Sequence, residues 1–179
     1  MNFFYLKKLY LIVLFTLLST GILAEIKTPN YDFSLTLLEP FLPGKSVIEL
    51  NKDKAFRSEI FEDNGNQKIF KFKLQKENYV LELYTQVKKD LITDLYVRLP
   101  QHFNHDQFLM ELQKKYKKQD KFVRKDFSAL YTWLNREGFN ILYHGSCSIS
   151  CFPMFLEIVT TDKSIIPLYQ KFNEALPRL

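Results

Sequence analysis

The strongest constraint on this chain is a period of two. Phe56, Ser58, Ile60 and Glu62 alternate with Arg57, Glu59, Phe61 and Asp63. After Asp63-Asn64-Gly65-Asn66, the residues Phe70, Phe72 and Leu74 alternate with Lys71 and Lys73. Asn-Gly accepts positive φ, so it marks a hairpin tip. Lys76-Glu77-Asn78 turns the chain, and Tyr79, Leu81, Leu83 and Thr85 then share a face with Glu82 opposite. Lys88-Lys89-Asp90 turns it again, and Leu91, Leu95, Val97 and Leu99 share a face with Asp94 and Arg98 opposite. Successive strand residues point to opposite sides, so this pattern predicts an antiparallel meander with one apolar and one wetter face.

Pro100 ends the meander, and the period lengthens. Asn104 can cap a helix, with Gln107 three residues on as its partner. Phe108, Leu109, Leu112 and Tyr116 then fall on one helical stripe. A second alternating region carries Phe127, Ala129, Tyr131 and Trp133, then Phe139, Ile141 and Tyr143, then Phe152, Met154, Leu156 and Ile158. Ser164 opens a closing helix over about 164–176, with Ile165, Leu168, Tyr169, Phe172 and Leu176. Before all this, residues 25–55 are punctuated by Pro40, Pro43 and Gly44, with Lys45–Leu50 readable as a short helix or strand. The expected fold is α+β: two antiparallel β-meanders joined by a helix, the helices packed on one face of the sheet, and a C-terminal closing helix.

Residues 1–24 stand apart. Lys7 and Lys8 precede an uncharged run from Leu9 to Ala24, and Glu25 follows. A positive start, an apolar centre and a small residue at the end predict a secretory signal peptide. The run is short against the roughly 20 residues a spanning helix needs. The expectation is therefore bacterial export to the periplasm or beyond, with no transmembrane segment after removal of the leader. The remainder, 25–179, has the size of one domain. Its halves would span about 40–99 and 104–162.

Composition narrows the function classes. Five Gly, seven Pro and two Cys exclude collagen, disorder and disulfide-dense miniproteins. The net charge of +5 is a mild excess, which argues against nucleic acid as a partner. The order of elements from 40 to 162, a helix followed by a three-stranded meander and used twice, is similar to that of the β-lactamase inhibitor proteins. One such unit resembles the small lipoprotein of the outer-membrane assembly machinery. The resemblance is of element order, and it implies a fold rather than an activity.

Chemistry-bearing residues are few. Cys147 and Cys151 are the two cysteines, within SCSISC. In an oxidising compartment an even pair reads first as a disulfide. Fully extended, residues four apart lie about 13 Å apart. A disulfide needs Cα atoms within roughly 7 Å, so the bridged segment must turn, and Gly145 with its serines permits that. A stapled loop over Gly145–Cys151 suits recognition. The alternative is a zinc or copper site built from His144, Cys147 and Cys151, with His102 and His105 as further ligands. Lys114, Lys115, Lys117, Lys118, Lys121, Arg124 and Lys125 crowd the stretch after the first long helix. They read as a solvated helix end or as a contact for anionic lipid, surface polymer or an acidic envelope protein. Carboxylate pairs such as Glu59/Glu62 and Asp90/Asp94 fall on expected wet faces and read as solvated. No G-x-S-x-G, H-E-x-x-H or Walker sequence is present, so no catalytic residue and no cofactor is expected. The reading is an exported envelope protein that works by binding, with no catalysis.

Overall fold

The computed structural model describes residues 34–53, 56–76, 79–100, 104–125, 128–146 and 154–174. A 3-10 helical segment, Leu35–Phe41, leads into α1, Val47–Lys52. Four strands follow: β1 (Ser58–Asp63), β2 (Lys68–Gln75), β3 (Val80–Lys88) and β4 (Leu91–Arg98). Then come α2 (His105–Tyr116), β5 (Lys121–Lys125), β6 (Ser128–Arg136), β7 (Phe139–Ser146), β8 (Phe155–Thr160) and α3 (Leu168–Lys171). All strands join one antiparallel sheet in the order β1-β2-β3-β4-β8-β7-β6-β5. Each half is thus a four-stranded meander preceded by helix, and the halves meet where β4 pairs β8. Among the described residues no helix is long and apolar enough to cross a membrane.

Local chemistry explains the turns. Gly65 sits at the first hairpin tip with φ of 75°, and its N–H donates to Asp63 Oδ1 at 2.9 Å. Lys89 and Asp90 both take positive φ, 51° and 63°, as a two-residue hairpin turn requires. Asn104 caps α2 through its Oδ1, which accepts from the Gln107 N–H at 3.2 Å. The Gln107 side chain returns to the Asn104 side-chain amide. At the other end, Trp133 Nε1 and Arg136 Nε donate to the carbonyls of Lys117 and Tyr116, which ties the helix terminus to β6.

The alternation sorts side chains onto two faces. On the helical face Phe72, Leu74, Leu81, Leu83, Leu95, Val97, Leu156 and Ile158 form the main core with Trp133, Ile141 and Tyr143. Phe108, Leu112 and Tyr116 of α2 close it, with Leu38 and Phe41 of the 3-10 segment and Val47 and Leu50 of α1. The expected common core of Phe70, Phe72, Leu81, Leu83, Leu95 and Val97 with Phe108 and Leu112 is present. On the opposite face Ile69, Tyr84, Tyr96 and Phe155 pack with Leu168, Tyr169 and Phe172.

Four expectations need correction. The C-terminal segment lies on the face opposite to α2, not with the other helices, because Tyr84, Tyr96 and Phe155 alternate with the core residues beside them. Its helix is α3 alone, far shorter than 164–176. Pro167 disfavours a helical Ile166 before it, and Asn173 adopts φ of 53° after it. Ser164 instead donates into an Asp162-centred turn. The second meander has a strand the alternation did not reveal, β5, since its sequence KFVRK exposes most of its side chains. Finally, Thr93 is an extra residue between the pairs Gln86↔Asp94 and Val87↔Ile92. It turns Ile92 inward and Leu91 outward, the reverse of simple alternation.

Candidate functional site

β7 ends at Ser146 and β8 begins at Phe155, so they flank the segment that carries Cys147 and Cys151. Both cysteines and His102 lie outside the described residues. The base of that segment is well built. His105, the first residue of α2, places Nδ1 2.8 Å from Tyr143 Oη and stacks on the Tyr143 ring at 5.4 Å. Burial depresses the His105 pKa and holds the ring neutral. Gly145 lies against this ring, and a Cβ there would collide with it. The glycine is therefore required by close approach rather than by a turn.

His144 lies on the other face of the sheet. It is buried: its Nε2 shares a hydrogen bond with Ser128 Oγ, and its ring leans on Phe155 at 5.4 Å. The sheet thus separates His144 from His105, so these two do not converge on one ion. Among the described residues no group of three or more His, Cys, Asp or Glu is arranged to hold a metal.

From His105 a row of rings runs outward along the helical face. Tyr143 stacks on Tyr131 at 5.8 Å, and Tyr131 meets Phe122 at 4.8 Å. Phe122, on the terminal strand β5, is 50% exposed. The basic residues divide. Lys114 and Lys115 occupy the last turn of α2, where Lys115 reaches Glu39 at 3.3 Å. Lys117 and Lys118 follow the helix end, while Lys121, Arg124 and Lys125 lie on β5 beside Phe122. The cluster is thus half helix end and half sheet edge.

A second constellation was not apparent from the sequence. Asp94 on β4 and Glu157 on β8 both lie fully buried, against the expectation of a solvated Asp94. The register pairs Asp94 with Val159 and Tyr96 with Glu157, so the two acids are diagonal neighbours on one face. Asp94 Oδ2 accepts from the Leu168 N–H at 2.7 Å, and Glu157 Oε1 accepts from the Tyr169 N–H at 3.0 Å. Asp94 Oδ1 and Glu157 Oε2 find no other donor among the described residues. The carboxyls hydrogen-bond each other, which demands a proton between them.

Desolvation dominates both titrations. It pushes Asp94 up to about 7, against the lowering effect of its hydrogen bonds and of nearby Lys171. It pushes Glu157 well up, and the neighbouring Asp94 adds to the shift, so the pair retains a proton that free carboxylates would release. Such a pair resembles an acid–base dyad, but it is covered by α3 and no substrate can reach it. It works as a clasp that holds the C-terminal segment. Beyond it, Tyr96 Oη donates to Glu174 at 2.6 Å, and Arg98 stands 3.6 Å from the same carboxylate.

A concavity of about 550 Å³ opens beside β1 and β2; its lining includes Arg57, Glu59, Lys71 and Lys73, with no histidine or cysteine. No known family, curated protein or solved structure matches the chain.

Proposed function

We propose that the chain is exported with residues 1–24 removed and acts by binding in the bacterial envelope, in the periplasm or beyond it. Its contact surface would be the Cys147–Cys151 segment that follows β7, with the ring row beside it. The observation that carries this reading is the base of the loop. His105, Tyr143 and Gly145 interlock there, so whatever follows Gly145 starts from a fixed platform. A bridge between Cys147 and Cys151 would complete that preorganisation, which lowers the ordering cost of binding. Phe122 and Tyr131 supply half-exposed rings on the same side of the sheet as Arg124, a chemistry suited to an anionic surface polymer, lipid headgroups or an acidic envelope protein.

The test begins with expression of the full chain in a bacterium, cell fractionation and mass determination. We expect a product starting near Glu25, with a mass two protons below that of its reduced form. The product should cosediment with phosphatidylglycerol vesicles or isolated cell-wall polymer. Phe122→Ala and the pair Cys147→Ser/Cys151→Ser should each weaken cosedimentation by about tenfold with an unchanged fold. Equal binding by all forms, or a product retained in the cytoplasm, would overturn the reading. Two free thiols with stoichiometric zinc or copper would replace it by the metal site.

A further inference from the structure

The sheet is open, and its two edges are opposites. β1 and β5 each pair with one neighbour only among the described residues. Exposed edges of unpaired N–H and C=O groups are templates for another strand. β1 carries Glu59, Glu62 and Asp63, whereas β5 carries Lys121, Arg124 and Lys125. Each edge also exposes an apolar side chain: Ile60 is 59% and Phe122 50% exposed. None of the three β5 cations has an ion pair among the described residues, and Glu59 has one at 3.6 Å to Lys73 with both side chains largely in solvent.

Topology sets how these edges can meet. All seven pairings are antiparallel across eight strands, so β1 and β5 run in opposite directions. A second copy laid alongside in the same orientation therefore presents its β1 antiparallel to β5, with the helical face on the same side. The faces then match. Ile60 pairs with Phe70, and Phe122 with Tyr131, so both point to the helical face. Glu59 and Glu62 sit opposite Lys71 and Ile69, while Lys121 and Lys125 sit opposite Thr132 and Ser128. Those four charges share the other face. Unlike edges thus bring Ile60 to Phe122 and carboxylates to ammonium groups. Like edges would set acid against acid or base against base, which cross-strand pairing penalises.

We propose that copies of this chain associate head to tail, β5 of one against β1 of the next. The contact is heterologous, and the right-handed twist of a continued sheet relates successive copies by a screw, so the row stays open. The bulge at Phe61 between the pairs of Ile60 and Glu62 keeps the new ladder short, which makes the assembly reversible. The inference rests on the two edges alone and does not depend on export or on the loop.

Sedimentation velocity on the soluble product of the full chain tests it. At about 10 mM salt the average mass should climb with concentration past a dimer, and at about 500 mM salt it should fall to that of a monomer. Lys121→Glu/Lys125→Glu should be monomeric, and so should Glu59→Lys/Glu62→Lys. Mixing the two variants should restore association, since each then offers the edge the other lacks. These side chains are exposed or half-exposed, and circular dichroism with a thermal melt verifies that each variant is folded. A wild-type monomer at low salt, growth that stops at a dimer, association that survives either reversal, or no recovery on mixing would each overturn the proposal.

Discussion

The two faces of the sheet are closed by different physics. On the helical face, α2, α1 and the 3-10 segment bury Phe108, Leu112, Leu38 and Phe41 against apolar strand residues. That contact is non-directional and grows with area. On the opposite face a four-residue helix is held by two backbone N–H groups donating to a buried acid pair. Few apolar residues accompany it, chiefly Leu168 and Phe172 against Tyr84, Tyr96 and Phe155. One face depends on volume and the other on a proton. The first should fail as a unit, and the second should open locally.

The largest effect is expected on the helical face. Phe108 is fully buried and meets Tyr143 edge-on at 5.2 Å. Phe108→Ala should cost about 3–5 kcal/mol, with all probes of urea unfolding shifting together. Separate transitions for the two halves of the sheet would show that the shared core does not couple them.

The clasp should give a smaller effect with a pH signature. Asp94 and Glu157 have raised pKa values in the folded state. Their contribution is full below the ordinary carboxylate range. It is lost as pH rises toward about 7, because the unfolded chain releases protons that the folded pair retains. His105 has the opposite sign: its depressed pKa removes stability as pH falls. The clean readout is therefore the difference between wild type and Asp94→Asn/Glu157→Gln. Amide exchange at Leu168 and Tyr169 should quicken with pH in the wild type beyond the intrinsic rate. The double variant should show only the intrinsic dependence. The same slope in both proteins would remove the acid pair as its source.

The smallest effect is expected at the rim of that second face. Lys71 Nζ lies 2.7 Å from Glu82, partly exposed, with Tyr84 beneath it. Lys71→Ala should cost about 0.5–1 kcal/mol, and less in high salt. A loss as large as that of Phe108→Ala would mean that the polar rim, rather than the clasp, holds this face.

How much of this could be read from the sequence follows the same division. Alternation at Phe72, Leu83, Val97 and Ile141 fixed the helical face, since period two maps directly onto a buried side. The Asn64-Gly65 tip and the Asn104 cap are short-range chemistry, and both were legible. β5 was hidden because KFVRK has no buried residue to mark a phase, and its charges resemble a helix end. The acid pair was hidden for another reason. Asp94 and Glu157 each interrupt an apolar strand, which is a usable signal. Only the β4–β8 pairing, which joins distant parts of the chain, shows that they meet. His105 and His144 were separable only once the parity of Tyr143 and His144 was fixed against α2.

The placement of β8 has a consequence for the order in which the molecule can be completed. The first meander can zip from neighbouring hairpins as soon as it emerges, but β4 must wait for β8. Through the synthesis of α2, β5, β6 and β7 its outer edge stays bare, and it carries Asp94 with no acid beside it. Closing that seam pairs the two carboxyls, and α3, a few residues later in the chain, then covers them. The stretch from β8 to α3 both completes the sheet and seals it, so a chain halted before Phe155 would carry two half-sheets with unpaired inner edges, the state most open to mispairing.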